Sequence, residues 1–296
     1  MNEFSMGTAN FYRHSGKAPI LGLILMGVAG FVVTPILGLI YGYLLRYIPL
    51  IYINFFIVLG YAYAVSFVIS KMARIGKVRN MFLLGLAGLF FGLLAEYIGW
   101  VSWIAAMVGD PFYLLAFLHP LDILHIIKEI AKEGAWSLNG ATPTGWQLYL
   151  IWFIEACMVI GGITYLTITS LFKIPFCEES DTWTESKGVI AAFGPISDES
   201  SFKESIKQGN FSKFNELKPA LTQNQFTILE LYECPVCKNF HVLNVKKLTT
   251  ARDRKGKQNN KEHTIISNLI INQNTLGSIK RLFESHQAET DKPSAG

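Results

Sequence analysis

Four long apolar segments, followed by a polar remainder, constrain the fold of this sequence more than any other feature. The segments are Ala18–Leu45, Ile48–Ser70, Met81–Val108 and Trp146–Phe172. Each exceeds the roughly 18 apolar residues that a helix needs to cross a hydrocarbon layer about 30 Å thick. Residues 173–296 contain no comparable segment. The sequence therefore predicts an α-helical polytopic membrane protein with four transmembrane helices and a small soluble domain.

The distribution of charge agrees with this division and argues neither for nor against nucleic acid as a partner. Charged residues make up only 16% of the chain, whereas soluble domains contain about 25%. Residues 1–172 carry 9 Lys/Arg and 7 Asp/Glu, while residues 173–296 carry 17 and 15, so each part has a net charge of +2. Neither part has the basic excess that would indicate nucleic acid as a partner.

The short loops predict the orientation of the helices. The loop from Lys71 to Arg79 has four cations and no anion, and the head before the first segment is also basic. The loop between the third and fourth segments is acidic on balance, with four carboxylates against two lysines. Because an excess of Lys and Arg marks the cytoplasmic side, we expect both termini in the cytoplasm of a plasma membrane. Short cytosolic loops fit a bacterial inner membrane.

We divide the chain into four regions. Residues 1–17 form a cytosolic N-terminal head, and residues 18–172 form the transmembrane domain. Residues 173–285 form the cytosolic domain, and residues 286–296 a disordered tail. The first apolar segment is too long for a cleaved signal peptide and resembles a retained anchor. Within residues 112–132, Leu121, Leu124 and Ile127 recur at helical spacing, which predicts an amphipathic helix on the outer membrane surface.

Two pairs of glycines predict close contacts between the helices. The pairs are Gly38-x-x-x-Gly42 and Gly88-x-x-x-Gly92. Small residues at this spacing allow a neighbouring helix backbone to approach.

Two carboxylates lie within the apolar segments and form a candidate intramembrane polar site. At 1.5 Å per residue, Glu96 and Glu155 reach a similar depth in the outer half of the bilayer. A charge at such a depth costs about 2.5–3.5 kcal/mol on insertion scales, so these residues usually face a bundle interior or a wet cavity. Arg46 at the outer end of the first segment is a candidate counter-charge. Protonated acids that are hydrogen-bonded between helices are the structural alternative.

The cysteines of the polar part form a candidate metal site. Cys177, Cys234 and Cys237 fall in the domain that the orientation places in reducing cytosol, where metal binding is favoured over disulfides. Thiolates at the Cys234-x-x-Cys237 spacing suit tetrahedral zinc. The fourth ligand could be His241, His263 or a water molecule. The structural alternative is that the cysteines are small buried residues in hairpins that need no metal.

With this motif the polar part resembles a zinc ribbon, in which two Cys-x-x-Cys knuckles lie on strand turns. The first knuckle would be Cys177-Glu-Glu-Ser180, where Ser180 stands in place of the second cysteine. The resemblance implies a small α+β zinc-ribbon-like cytosolic domain that binds zinc. Its long spacing between knuckles requires a helical insertion. We expect helices after Asp198, from Phe211 and over Thr275–Phe283, and strands at Phe226–Glu233, Phe240–Lys247 and His263–Ile271.

A basic stretch follows the second knuckle and is a candidate contact with anionic lipid, a protein partner or nucleic acid. Its cations are Lys246, Lys247, Arg252, Arg254, Lys255, Lys257 and Lys261. A solvated hairpin loop is the structural alternative.

Three classes of function are compatible with these features. We expect a membrane-anchored interaction or assembly module whose cytosolic domain binds a protein partner. The alternative is a proton- or cation-linked channel or transporter subunit that uses Glu96 and Glu155. Because four helices rarely enclose a transport path alone, this alternative favours a homo-oligomer. An enzyme that acts at the bilayer ranks third, and no catalytic residue is predicted.

Overall fold

A computed structural model of the chain describes residues 9–48, 50–135, 142–220, 224–252 and 258–290. It divides into two units. One comprises residues 15–173 and contains the four apolar segments. The other combines residues 1–14 with residues 174–296.

Four helices in the first unit are long and apolar enough to span a membrane, as the sequence predicts. They are α1 (Ile20–Tyr47), α2 (Ile51–Ile75), α3 (Met81–Val108) and a fourth helix over Trp146–Phe172. The fourth helix consists of α5 (Trp146–Ala156), a π-helical turn (Cys157–Gly161) and α6 (Gly162–Phe172). Asn80 caps the N-terminus of α3 by accepting a hydrogen bond from the backbone N–H of Leu83 at 3.0 Å.

Glycines bring the helix backbones together at the predicted positions. A Cβ on Gly42 would lie 2.6 Å from the backbone nitrogen of Trp103 in α3, and one on Gly88 would lie 2.8 Å from the Cα of Thr164 in α6. The expected close approach is therefore confirmed for both pairs. Helix α1 packs against α2 and α3, and α6 packs against the same two helices, so that α1 and α6 occupy opposite corners of a bundle.

The segment between α3 and α5 contains a 3₁₀ helix (Pro111–Leu118) and α4 (Pro120–Glu133). Pro120 occupies the first turn of α4, where its missing N–H is not needed. The buried residues of α4 are Ile123, Ile130 and Ala131, and Ile123 packs against Val101 and Ile104 of α3. Leu121 and Leu124, which the spacing places on an apolar face, remain exposed.

The second unit is a small antiparallel sheet domain. A two-stranded hairpin, β1 (Phe176–Cys177) with β2 (Thr182–Trp183), precedes a four-stranded sheet in the order β3-β4-β5-β6. The strands of that sheet are β3 (Glu185–Phe193), β4 (Gln225–Glu233), β5 (His241–Arg252) and β6 (Gln258–Ile271). Strands β4 and β6 contain the predicted strands Phe226–Glu233 and His263–Ile271, and β5 begins one residue after the predicted start at Phe240 and continues to Arg252.

Strand β3 was not predicted, because its residues do not alternate between apolar and polar. Its first five residues are exposed, and Gly188 has a φ of +71°. Irregularities between Ser186 and Gly188 and between Val189 and Ala191 interrupt the pairing with β4. The neighbouring strand therefore holds β3 in place with little help from its own sequence pattern.

The core of this domain lies between the sheet and two helices, α7 (Glu199–Lys207) and α8 (Gln273–Thr290). Asp198 caps α7 by accepting a hydrogen bond from the N–H of Ser201, as the sequence pattern suggests. The second predicted helix is a 3₁₀ helix, Phe211–Glu216. Helix α8 continues through residues 286–290, where we expected a disordered tail, because the rings of Phe283 and His286 pack against Phe193.

Residues near the N-terminus belong to the sheet domain and not to a separate head. Phe11 pairs with Leu269 of β6, with hydrogen bonds from the N–H of Tyr12 to Asn268 and from the N–H of Ile270 to Asn10. The Tyr12 hydroxyl also accepts a hydrogen bond from the N–H of Phe176 at 3.0 Å. Residues 9–14 therefore lie in one folded unit with the described residues of the C-terminal part.

Candidate functional site

A largely apolar cavity with several polar side chains opens in the helical unit where the fourth helix changes its packing. Helix α6 contacts α2 and α3, whereas α5, over its described residues, packs chiefly against α4 and the π-helical turn. A single π-helical turn inside a helix is frequent at functional sites. The resulting space, here called the acidic cavity, has a volume of about 470 Å³. Its polar and aromatic lining residues are Tyr41, Arg46, Asn54, Phe55, Glu96, Trp100, Trp103, Trp152 and Glu155.

Glu155 enters the acidic cavity from the last turn of α5. Its Oε1 accepts a hydrogen bond from the hydroxyl of Tyr41 in α1. The Tyr41 ring stacks on Tyr61 with ring centroids 4.3 Å apart, and the Tyr61 hydroxyl donates to the carbonyl of Ala95 at 3.0 Å. This chain of contacts fixes the position of the carboxylate relative to three helices.

Glu96 enters the same cavity from α3, one helical turn before Trp100. The indole Nε1 of Trp100 donates a hydrogen bond to Oε1 of Glu96 at 3.1 Å. Among the described residues, the other carboxyl oxygen of Glu96 and the side-chain oxygen of Asn54 are buried without a hydrogen-bond partner. A buried acceptor without a partner is unfavourable unless a ligand or water donates a hydrogen bond to it or a cation binds it.

The structure thus brings Glu96, Glu155 and Arg46 to one cavity. Sequence reasoning missed Tyr41, Asn54 and Trp100. The four-residue spacing of Glu96 and Trp100 was a usable signal, since residues at i and i+4 meet on a helix. Tyr41 offered no such signal because its partner lies on another helix. Two carboxylates beside several indole faces can bind a cation through charge and through cation–π attraction.

The second site is a cluster of three thiols in the sheet domain. Cys177 lies at the end of β1, and Cys234 and Cys237 lie in the connection between β4 and β5. Their sulfur atoms all fall within 4.8 Å of one another, and those of Cys177 and Cys237 are 3.8 Å apart. The structure therefore brings together the three cysteines that the sequence selects, and three such side chains could hold a metal ion.

The electrostatics of the cluster favour ionisation of one thiol. Burial opposes the charged form of Cys234, but hydrogen bonds from Ser180 and from the backbone N–H groups of Cys237 and Val236 lower its pKa to about 6. Burial raises the pKa of Cys177, although hydrogen bonds from Ser180 act in the opposite direction. A thiolate is the form that binds a metal ion.

The remaining candidate ligands lie at different distances from this cluster. The hydroxyl of Ser180 lies 3.7 Å from the sulfur of Cys177. Among the described residues, the metal-binding group consists of the three cysteines and does not include His241, which is buried at the start of β5, or His263, which lies in β6 near Glu199.

Part of the basic stretch is occupied by contacts within the domain. Lys246 binds Glu230 at 2.7 Å and Glu262 at 3.3 Å, and Lys247 binds Glu199 at 2.7 Å. Burial lowers the pKa of Lys246, but the hydrogen bond and charge of Glu230 and Glu262 raise it above its usual value. Arg252 ends β5, and Arg254, Lys255 and Lys257 lie outside the described residues.

Comparison of the chain with protein-family models, with curated proteins and with solved structures found no match.

Proposed function

We propose that the protein is integral to the plasma membrane through its four long helices. In the most apolar stretch of each helix only 17–39% of the residues are buried within the protein. Large side chains such as Ile20, Phe56 and Phe82 are at least 70% exposed. Apolar surface of this extent exceeds what a soluble monomer presents to water. A hydrocarbon environment accounts for it, because α-helices satisfy their own backbone hydrogen bonds there.

The orientation with both termini in the cytoplasm has two supports. The loop between α2 and α3 is strongly basic, and residues 9–12 pair with β6 of the C-terminal part. A chain whose two ends fold together must cross the bilayer an even number of times. Reporter fusions at residues 1 and 296 should both be active on the cytoplasmic side, and activity on opposite sides would contradict the proposal.

Within this membrane protein, we propose that the acidic cavity binds a cation and that the protein is a proton- or cation-linked channel or transporter subunit. The observation that carries this proposal is the convergence of Glu96 and Glu155 on one cavity in which a carboxylate oxygen has no partner. The cavity volume of about 470 Å³ falls within the 300–1,000 Å³ typical of small-molecule sites. Because four helices rarely enclose a transport path alone, a homo-oligomer is the assembly that we expect to form a complete path.

Flux measurements test this function. Protein reconstituted in liposomes should move protons or monovalent cations, and Glu96→Gln and Glu155→Gln should abolish the flux because they remove the charge with little change of shape. Glu129→Gln is the matched control, since Glu129 is an exposed glutamate on α4 that pairs with Lys132. Flux that is absent from the wild type, or that survives both cavity substitutions, would contradict the proposal.

A second candidate function concerns the sheet domain. The thiol cluster favours a zinc-ribbon-like module in which zinc fixes two hairpin turns, and such a module can present a surface to a protein partner. Val236 in the second turn is 68% exposed and is a candidate contact. The module would then act as an anchored interaction or assembly unit, with the membrane helices serving as the anchor.

Genetic substitution separates the two functions. If the module is the functional part, Cys234→Ser should abolish the cellular phenotype while Glu96→Gln and Glu155→Gln leave it intact. The opposite pattern would support transport. Metal analysis of the purified full-length protein should find one equivalent of zinc that is lost in Cys237→Ala, and absence of zinc in the wild type would refute the zinc site.

A further inference from the structure

We propose that Ser180 supplies the fourth ligand of the metal site, so that its Oγ completes a tetrahedral zinc centre with Cys177, Cys234 and Cys237. This inference rests on the proposal that the thiol cluster binds zinc. It assigns a role to Ser180, the residue that breaks the Cys-x-x-Cys pattern. Ser180 then takes the place of the histidines and the water that the sequence offered as the fourth ligand.

The two turns that carry the ligands are built alike. In each, a cysteine is followed three residues later by the second ligand position, and the next residue has a positive φ, +47° at Asp181 and +55° at Lys238. In each, the backbone N–H of the second position donates to the sulfur of the first. Cys237 donates to Cys234 in this way at 3.5 Å, and Ser180 donates to Cys177. Ser180 therefore occupies the position equivalent to Cys237.

The distances match those of a tetrahedral site. Two sulfur ligands 2.3 Å from zinc are about 3.8 Å apart, and a sulfur and an oxygen ligand at 2.0–2.2 Å are about 3.6 Å apart. The sulfur atoms of Cys177 and Cys237 are 3.8 Å apart, and the Oγ of Ser180 lies 3.7 Å from the sulfur of Cys177. The Ser180 hydroxyl also hydrogen-bonds to Cys234. These two distances are those expected between ligands of one tetrahedral ion, and the sulfur of Cys234 lies within 4.8 Å of the other two sulfurs.

The hydroxyl changes the chemistry of the site in a defined way. A serine hydroxyl has lone pairs to offer a metal and is neutral, unlike a thiolate. Zinc with three thiolates and one hydroxyl has a net charge of −1, whereas four thiolates would give −2. Zinc binding requires all three cysteines to be in the thiolate form. Because a hydroxyl is a weaker zinc ligand than a thiolate, we expect zinc to be exchanged more readily than from a four-cysteine site.

Zinc affinity of the full-length protein in detergent, measured under reducing conditions against a competing chelator, tests this assignment. Ser180→Ala should weaken binding at least about tenfold, the lower end of the loss seen when a group supporting a metal ligand is removed. Ser180→Cys should tighten it. With cobalt as a substitute ion, the sulfur-to-metal absorption should correspond to three thiolates in the wild type and four in Ser180→Cys. Ser201→Ala, on the exposed side of α7, is the control and should change nothing.

The outcomes distinguish this inference from the proposal on which it rests. The metal site itself is refuted if the wild type binds neither zinc nor cobalt. It is also refuted if Cys237→Ala binds these ions as well as the wild type does. If zinc binds in the wild type but neither Ser180→Ala nor Ser180→Cys changes its affinity, the site exists and Ser180 is not a ligand. A cobalt spectrum of Ser180→Cys that retains three thiolates would also overturn the assignment.

Discussion

Single residues decide how each candidate site can be used. In the acidic cavity, the Tyr41 hydroxyl occupies one oxygen of Glu155 and the Trp100 indole occupies one oxygen of Glu96. The second oxygen of Glu96 is left for a ligand, an ion or water. In the thiol cluster, Ser180 takes a place that the sequence pattern reserves for cysteine. Both sites therefore depend on polar groups that the sequence did not identify as site residues.

A prediction at this scale concerns His241, which the sequence favours as a zinc ligand. His241 is 1% exposed, and among the described residues its Nδ1 has no hydrogen-bond partner. Replacing a buried polar group that lacks a partner by an apolar one of similar size is nearly neutral or stabilising. We expect His241→Leu to retain one equivalent of zinc and an unchanged or higher urea midpoint for unfolding of the sheet domain, followed by proteolysis. Loss of zinc in this variant, with zinc retained in Ser180→Ala, would identify the histidine as the ligand.

At the scale of elements, glycine determines where the helices touch. Helix α1 lies against α3 at Gly38 and Gly42, and α3 lies against α6 at Gly88 and against the π-helical turn at Gly92. These contacts set the bundle from which α5 diverges at the π-helical turn. The acidic cavity is therefore a consequence of tight packing on one side of that turn and loose packing on the other.

Two substitutions in α1 test this account. Gly42→Ala would place a Cβ 2.5 Å from Ser102 and 2.6 Å from the backbone of Trp103, whereas Gly27→Ala meets no atom within 4 Å. Overpacking of this kind costs about 1–3 kcal/mol, while alanine is the better helix former by about 1 kcal/mol. We expect Gly42→Ala to lower the thermal unfolding temperature in detergent and Gly27→Ala to leave it unchanged or raise it. Equal effects of the two substitutions would argue against the glycine contacts.

The sequence predicted the elements that have a strong pattern of hydrophobicity and did not predict the elements that lack one. The apolar segments at Met81–Val108 and Trp146–Phe172 coincide with the helices that are found, because length and hydrophobicity suffice there. Strand β3 escaped prediction because its neighbour, and not its own residues, makes it a strand. The π-helical turn and the Tyr41–Glu155 contact could not be predicted from the sequence because they depend on packing between distant segments.

At the scale of the whole molecule, the helical unit is inserted in the sequence between two segments of the sheet domain. Residues 9–14 and 174–290 share a folded unit, and residues 15–173 form the helical unit between them. The pairing of residues 9–12 with β6 means that the sheet domain includes residues from both ends of the sequence. This arrangement links the stability of the C-terminal part to a segment that precedes the first helix.

A substitution near the N-terminus should therefore destabilise the C-terminal domain. Tyr12→Pro removes the N–H that donates to the backbone carbonyl of the half-buried Asn268 at 2.7 Å, and loss of one such hydrogen bond costs about 0.5–1.5 kcal/mol. We expect a lower urea midpoint for unfolding of residues 174–290, measured by proteolysis of the full-length protein in detergent. Tyr12→Phe keeps the N–H and should have a smaller effect. If Tyr12→Pro leaves the midpoint unchanged, the N-terminal segment is not part of the domain.

The pairing of Phe11 with Leu269 also has a consequence for biosynthesis. The two residues are separated by more than 250 positions, and a ribosome adds about 5–20 residues per second. The first β-pairing segment to be translated must therefore wait roughly 10–50 s, while the four long helices are synthesised, before its partner is made. The sheet domain therefore cannot be completed until the segment that contains Leu269 has been synthesised and can meet residues 9–12.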